Sequence, residues 1–186
     1  MRLFIGLVHY PVYNKNYQDI ASAITTVDLH DLARLARTYD IKKFFVVTPL
    51  DDQQALAERV RRHWITGYGA RYNRNRKQAI ELVRVIPSLE QAIDAIAELE
   101  KEKPLLIATD ARKQKDRSIS YENARRLIKE DSVIFLIFGT AWGLAKEVIQ
   151  KADYVLDPIP GKTDYNHLSV RTASAIILDR LVGKRY

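Results

Sequence analysis

The sequence lacks cysteine altogether and contains only 7 glycines and 6 prolines in 186 residues. Without thiols the chain can form no disulfide, no thiolate nucleophile and no cysteine-ligated metal site, which suits a cytoplasmic protein. No apolar run reaches the roughly 18 residues that a membrane-spanning helix needs, so we expect no membrane anchor. The apolar start soon meets Asn14 and Asn16 without a small-residue cleavage pattern, which predicts a first strand rather than a signal peptide.

Several motifs that mark small-molecule sites are also missing. Neither GxGxxG nor GxxxxGK[ST] occurs, which argues against a dinucleotide site of the usual kind and against a P-loop. No GxSxG elbow is present, so serine hydrolase chemistry is not expected. The four histidines show no metal-ligand spacing, and we therefore expect no metal site; they are His9, His30, His63 and His167.

The composition that remains is that of a basic globular protein. Hydrophobic residues make up 47% and charged residues 28%, which indicates one domain over residues 1–186 with a sizeable core. The net charge of +7 fits a polyanionic partner such as nucleic acid, or general solubility. Its distribution favours the former, since residues 59–77 hold seven Lys or Arg and no acid.

Short apolar runs alternate with helical patterns along most of the chain. Because most of these runs lack polar alternation, they predict an α/β fold with a mainly parallel sheet and helices on both faces. Asp28 is a plausible N-cap, Ser88 with Gln91 forms a capping box, residues 19–24 suit a helical turn, and residues 66–77 read as a loop. Strands are expected at 3–8, 44–47, 82–85, 105–108, 133–138 and 154–156, and helices near 28–38, 51–65, 88–103, 120–129, 144–150 and 167–181.

Two of these strands end in glycine or proline loops that are close in sequence. One stops at Gly139, and the other runs into Asp157-Pro158-Ile159-Pro160-Gly161. Ligands of open α/β sheets bind in the crevice beyond the carboxyl ends of strands, so residues 133–172 are the candidate ligand site. Gly139 would let a ligand approach the backbone, and Ile159 with Pro160 would form an apolar wall for a purine. The alternative is that both glycines are only turn residues.

Three segments of the chain resemble the SPOUT class of methyltransferases, the S-adenosylmethionine-dependent RNA-modifying enzymes. Residues 30–38, HDLARLART, resemble the first motif of the SpoU branch, and residues 138–144, FGTAWGL, resemble the second. Residues 159–161, IPG, followed by residues 167–170, HLSV, resemble the third. The order of the three, at strand ends and helix starts, carries the resemblance more than any one of them.

The motifs also depart from the SpoU pattern. Asp31 stands where an asparagine is usual, and Ala141 replaces a glutamate. His167 and Ser169 replace the serine and asparagine of the third motif. The resemblance therefore supports cofactor binding better than ribose 2′-O-methylation, and a compact family grouped with the tRNA guanine-N1 methyltransferases is a closer match.

The resemblance implies a trefoil knot near residues 155–170 and a homodimer whose active site is completed across the interface. It implies S-adenosylmethionine as the cofactor and RNA as the substrate, with guanine N1 of tRNA favoured over rRNA. The residues expected to hold the cofactor are Thr109, Phe138, Gly139, Thr140, Leu156, Ile159, Pro160, Gly161 and Leu168.

Catalytic candidates follow from the same resemblance. Asp31 or Asp164 could accept the proton of a guanine N1, and Arg37 could orient a ribose hydroxyl. The alternatives are an ordinary first-turn acid for Asp31, favoured by the helix dipole, and a surface residue for Arg37. His167 could relay a proton or simply cap a helix. The neighbouring Tyr165 and Asn166 could touch the acceptor base or belong only to the loop.

Two basic segments are candidate RNA contacts, since Arg and Lys meet phosphates and tyrosines stack on unpaired bases. The alternative for the first segment is a solvated flexible loop. The residues are Tyr68, Arg71, Tyr72, Arg74, Arg76 and Lys77 in the first segment, and Arg112 and Lys113 in a loop after a strand end.

Two other functions compete with the methyltransferase. The departures from the motifs allow a catalytically inactive SPOUT-like RNA-binding module. An unrelated α/β nucleotide-binding enzyme is the third possibility, and it would not bind S-adenosylhomocysteine.

Overall fold

Seven strands form one sheet in the computed structural model, which describes residues 1–114, 116–163 and 165–184. The described strands are β1 (Leu3–Val8), β2 (Val12–Tyr13), β3 (Asp19–Ile20), β4 (Phe44–Val47), β5 (Val83–Ile86), β6 (Leu105–Thr109), β7 (Ser118–Ile119), β8 (Ile134–Gly139) and β9 (Tyr154–Leu156). Their order in the sheet is β5-β4-β1-β8-β6-β9-β7, and every pairing is parallel. β2 and β3 form a separate antiparallel hairpin.

Helices cover both faces of this sheet. They are α1 (Thr26–Thr38), α2 (Asp51–Ile65), α3 (Tyr68–Tyr72), α4 (Arg74–Ile80), α5 (Leu89–Glu100), α6 (Tyr121–Lys129), α7 (Lys146–Lys151) and α8 (Val170–Val182). None of the helices in the described ranges is long and apolar enough to cross a bilayer.

The two faces have separate apolar cores. On one face α1, α2, α4, α6 and α8 bury residues such as Leu32, Ile80 and Leu178. On the other, α5 and α7 bury Ile96 and Val148. The helices of the first face contact one another in the order α4, α1, α8, α6. The predicted α/β fold with a mainly parallel sheet between two helical layers is thus confirmed.

The segment that was expected to be a loop, residues 66–77, is mostly helical. The side chain of Asn73 accepts a hydrogen bond from the amide of Arg76 at 2.9 Å and so begins α4. Gly69 lies against Trp64, where an added Cβ would come within 2.6 Å of the indole ring. Its glycine therefore allows α3 to pack onto α2 rather than breaking a helix, and the loop prediction is wrong here.

Three helix starts or turns also differ from expectation. The cap of α1 is Thr25, whose hydroxyl accepts from the amide of Asp28 at 3.1 Å, so Asp28 is not the N-cap. Residues 19–20 form β3, so the predicted helical turn over 19–24 is wrong. α8 begins three residues later than expected because Ser169 caps it, accepting from the amide of Thr172 at 3.2 Å.

Candidate active site

The loops that follow three neighbouring strands begin close together at the carboxyl edge of the sheet. β8, β6 and β9 are adjacent and end at Gly139, Thr109 and Leu156. The hydroxyl of Thr109 donates to the carbonyl of Ile137 at 3.0 Å, which joins the ends of β6 and β8. The structure therefore brings together the three loops that were expected to hold a cofactor.

The loop after β9 is fastened to the loop after β6. The side-chain amide of Asn166 donates to the carbonyl of Ala111 at 2.8 Å. Asp157 accepts a hydrogen bond from the hydroxyl of Ser118 and lies 3.7 Å from the ammonium of Lys113. Contacts near both ends of the loop, at Asp157 and at Asn166, thus hold it across the ends of β6 and β9.

Apolar and backbone groups dominate the surface that this loop offers. Leu156 is buried, Ile159 is half-buried against the core, and Leu168 is 44% exposed. The amides of Ile159 and Gly161 form no hydrogen bond within the described ranges. Such a surface suits a ring that needs apolar contact together with backbone hydrogen bonds.

The glycine at 139 is explained by the turn that follows it. A Cβ there would lie 2.7 Å from the amide nitrogen of Leu144, because residues 140–143 fold straight back over the strand end. Gly143 has φ +104 and Ala141 φ 50, both in the left-handed region. The space beside Gly139 is therefore occupied by its own loop rather than open to a ligand.

The β2–β3 hairpin supports this turn from outside. Tyr13 donates its amide to the carbonyl of Gly143 at 2.9 Å and accepts from the amide of Trp142 at 3.0 Å. Its hydroxyl accepts from the amide of Lys146 at 3.0 Å. These bonds fix the turn and leave the Trp142 ring 60% exposed at the edge of the site. Neither the hairpin nor a role for this tryptophan was predicted from the sequence, although Trp142 lies within the second motif.

A partly buried chain of polar side chains lies under the same turn. Thr140 donates its hydroxyl to the carbonyl of Val8 at 3.1 Å and lies 2.6 Å from the hydroxyl of Ser22. Ser22 is in turn 2.9 Å from Nδ1 of His9, while Nε2 of that buried ring has no partner in the described part of the chain. Burial lowers the pKa of His9 to about 4, against the opposing effect of the Asp28 carboxylate. The ring is therefore neutral at pH 7, and its Nδ1 shares a hydrogen bond with the Ser22 hydroxyl.

Among the catalytic candidates, Asp31 lies close to the loops. Its carboxylate is 3.8 Å from the guanidinium of Arg171, which also contacts Asp28 at 3.5 Å. Arg171 stands in the first turn of α8, three residues after Leu168. This ion pair thus connects Asp31 to the helix that begins next to Leu168, the exposed part of the apolar wall. Asp164, the second candidate base, lies outside the described residues.

Arg37 does not reach the loops of its own chain. α1 begins at the carboxyl edge and ends beside the start of β1, where the amide of Lys42 bonds to the carbonyl of Leu3. At about 1.5 Å per residue, Arg37 lies about 14 Å further along the helix than Asp28. There it lines a separate cleft with Arg34 and Arg76.

The predicted RNA contacts fall into two regions. Arg112 and Lys113 belong to the carboxyl edge, where the Arg112 guanidinium lies 5.9 Å from the Tyr17 ring and 3.4 Å from Asp110. The other six lie along α3 and α4, away from the loops. They are Tyr68, Arg71, Tyr72, Arg74, Arg76 and Lys77, of which Lys77 contacts Glu81 at 3.8 Å.

His167 is exposed and packs edge-on against Tyr165, with ring centroids 5.2 Å apart. It does not cap α8, since Ser169 does. The described ranges contain no group of three or more His, Cys, Asp or Glu side chains that could hold a metal ion.

Comparison with known proteins gives consistent matches over the whole chain. The family model described as SAM-dependent RNA methyltransferase matches residues 2–183. A tRNA (guanine-N(1)-)-methyltransferase of Oleidesulfovibrio alaskensis is 42% identical over 181 residues, 97% of this chain, but the chain spans only 42% of that relative. An uncharacterized protein of Aquifex aeolicus is 40% identical over 183 residues, 98% of this chain and 89% of the relative.

A solved structure shows the same fold at low sequence identity. The SpoU methyltransferase AviRb from Streptomyces viridochromogenes, in complex with the cofactor AdoMet, has a TM-score of 0.61 at 13% identity. The alignment covers 96% of this chain and 56% of that one.

The neutral, buried His9 predicts an acid-sensitive fold. Unfolded His9 binds a proton below its ordinary pKa of 6.5, whereas folded His9 does so only near 4, so stability falls as the pH drops through that window. Between about pH 7 and about pH 5 the wild type should lose about 2 kcal/mol more than His9→Asn, whose amide can hydrogen-bond to Ser22 without titrating. Urea unfolding at both pH values measures this difference, and His30 contributes equally to both proteins. Equal losses in the two proteins would contradict the assignment.

Proposed function

The chain belongs to the SAM-dependent RNA methyltransferase family, and we propose that it transfers a methyl group from S-adenosylmethionine to RNA. We propose tRNA as the substrate and guanine N1 as the acceptor atom. The support is a relative, 42% identical to this chain over 181 residues, that is named tRNA (guanine-N(1)-)-methyltransferase. The alternative substrate is rRNA. The proposal places the protein in the cytoplasm, where both RNAs are used.

The observation that carries the proposal is the convergence of the loops after β8, β6 and β9 at one edge. The adenine and ribose would lie against Ile159 and Leu168, with the backbone of Thr140 and of residues 159–161 supplying hydrogen bonds. Pro160 would complete the apolar wall, and the buried side chains of Phe138 and Leu156 would support it from the core. Thr109 fixes the floor between two strand ends. Mostly uncharged donors suit this cofactor, which has no phosphate groups to neutralise.

When bound, the cofactor supplies an activated methyl group on its sulfonium centre. The protein then has to align the acceptor nitrogen with that methyl group and remove the acceptor's proton. The methyl group would pass from the sulfonium sulfur to N1, and the displaced S-adenosylhomocysteine would be a neutral thioether.

Asp31 is the base that we propose for the guanine N1 proton. It lies at the carboxyl edge, and Arg171 holds it beside the first turn of α8. Its replacement of the usual asparagine fits a reaction that needs a proton acceptor on the protein. Asp164 is the second carboxylate proposed for this role.

We also propose that the chain is knotted. The connection from β6 to β7 passes beyond β9, because β9 lies between those two strands in the sheet. In the proposed knot, the segment between β9 and α8 would pass through the loop that this connection forms. The bonds of Asn166 to Ala111 and of Asp157 to Ser118 support this threading.

We propose a homodimer, which the position of Arg37 supports. Because Arg37 stands at the far end of α1, it can serve an acceptor only at the loops of a partner subunit. α1 and α8 contact each other on one face, and they are the surfaces that we propose to meet in the dimer.

The predicted RNA contacts are assigned to the substrate. Arg112 and Lys113 would meet phosphates next to the acceptor nucleotide. The residues along α3 and α4 would meet a more distant part of the RNA. Ala141, which replaces the usual glutamate, keeps the alternative of an inactive RNA-binding module open to test.

Cofactor binding provides the first test. Leu168→Lys removes exposed apolar wall, and calorimetric titration with S-adenosylhomocysteine should show binding to the wild type that weakens about tenfold or more in the variant. Leu99→Lys is the matched control, because Leu99 is 56% exposed on α5, outside these loops. Equal binding by both variants would show that the cofactor site is not at these loops. If even the wild type does not bind, the inactive RNA-binding module is favoured.

Mixed dimers test the shared active site. Asp31→Asn and Arg37→Ala should each lower methyl transfer to bulk tRNA by about a hundredfold or more. If the two residues serve one site from different subunits, mixing the unfolded variants and refolding them together restores one intact site per heterodimer, or roughly a quarter of wild-type activity. A mixture as inactive as its components would show that both residues act within one subunit.

A further inference from the structure

A cleft of about 340 Å³ lies between α1 and α4, away from the cofactor loops of the same subunit. Arg34 and Arg37 enter it from α1, and Arg76 enters it from α4. Asn73 and Asn75 line its remaining wall. Since the side-chain oxygen of Asn73 already accepts from the amide of Arg76, its amide group is the part left to donate into the cleft.

The cleft is positively charged and lacks an internal counter-charge. Within the described ranges, none of the three guanidinium groups forms an ion pair. Arg76 is held 4.7 Å above the Trp64 ring, so its position is fixed by packing. Like charges that share one cleft repel each other unless an anion lies between them. The arrangement therefore suits an anionic ligand with several acceptor oxygens, and guanidinium groups match phosphate geometry well.

A stacked aromatic pair stands directly beside this cleft. Tyr68 and Tyr72 lie one turn apart on α3, with ring centroids 5.9 Å apart and an interplanar angle of 22°. They are 74% and 75% exposed, so their outer faces are open to solvent. Asn73 follows Tyr72 immediately and connects the tyrosine pair to the cleft. Exposed rings of this kind stack on unpaired bases, whereas the bases of a duplex are already stacked on each other.

We propose that the cleft binds the phosphodiester backbone of a single-stranded RNA segment, whose unpaired bases stack on Tyr68 and Tyr72. The inference rests on the proposed function only in taking RNA as the substrate. It adds a second contact region, distant from the cofactor loops of the same subunit, that selects for unpaired structure rather than for sequence. Stacking accepts any base and phosphate contacts carry no sequence information, so a flexible RNA loop is the segment that fits.

Fluorescence anisotropy with a labelled oligouridine of about 12 nucleotides tests the proposal, with a duplex RNA of equal length as the second probe. Arg34→Gln should weaken oligouridine binding about fivefold or more and lower the slope of log affinity against log salt by about 0.7. Tyr68→Ala with Tyr72→Ala should weaken oligouridine binding about fivefold or more and leave duplex binding nearly unchanged. Arg126→Gln is the control, because Arg126 is an exposed arginine on α6, at the other end of the same helical layer.

S-adenosylhomocysteine titration of every variant separates this inference from the proposed function. The cleft variants should retain cofactor binding, which also shows that they are folded. If Arg34→Gln binds oligouridine as tightly as Arg126→Gln does, the cleft is not an RNA site, whatever the outcome for methyl transfer. Equal losses on duplex and oligouridine in the tyrosine variant would overturn the selection for unpaired bases. If the variants show the expected RNA binding but the protein transfers no methyl group, the cleft is still an RNA site and only the proposed enzyme activity is rejected.

Discussion

Parallel pairing of β8 with β1 and β6 is the constraint on which the rest of this structure depends. It sends the carboxyl ends of all seven sheet strands to one edge, so the loops after β8, β6 and β9 must meet there. It also sets the direction of α1, whose first turn returns to that edge while its last turn lies at the opposite one. Asp31 and Arg37 are therefore separated by the topology, although they belong to one helix and one motif.

The sequence predicted the main sheet because its strands are short, fully apolar runs that a buried parallel sheet requires. Thus β1 and β8 follow from pattern alone, with six-residue stretches that are buried almost throughout. The elements that escaped depend on contacts between distant residues. Gly69 reads as a loop glycine until Trp64 is seen against it, and β2 is recognisable only through the bonds of Tyr13 to Gly143 and Trp142. Local propensity contains no record of such partners.

In the candidate site, too, local pattern predicted some features, while others depend on contacts between distant residues. Glycine and proline after apolar runs indicated where the loops would gather, and family resemblance added a chemistry for them. The polar chain from His9 through Ser22 to Thr140 joins residues up to 131 positions apart, so spacing could not reveal it. The arginine cleft likewise unites Arg34 with Arg76 across an intervening strand and two helices. Structure was needed as well to show that Arg37 and the cofactor loops of its own chain do not meet.

The position of the transferred methyl group tests the proposed function most directly. The decisive measurement is incubation of an unmodified tRNA transcript with the protein and methyl-labelled S-adenosylmethionine, followed by digestion to nucleosides and chromatography. We predict that the label coelutes with N1-methylguanosine for the wild type and is lost with Asp31→Asn. Label in a 2′-O-methylated nucleoside would contradict the assignment of Asp31 as the base. Absence of label from every nucleoside, with RNA still bound, would contradict the enzyme itself.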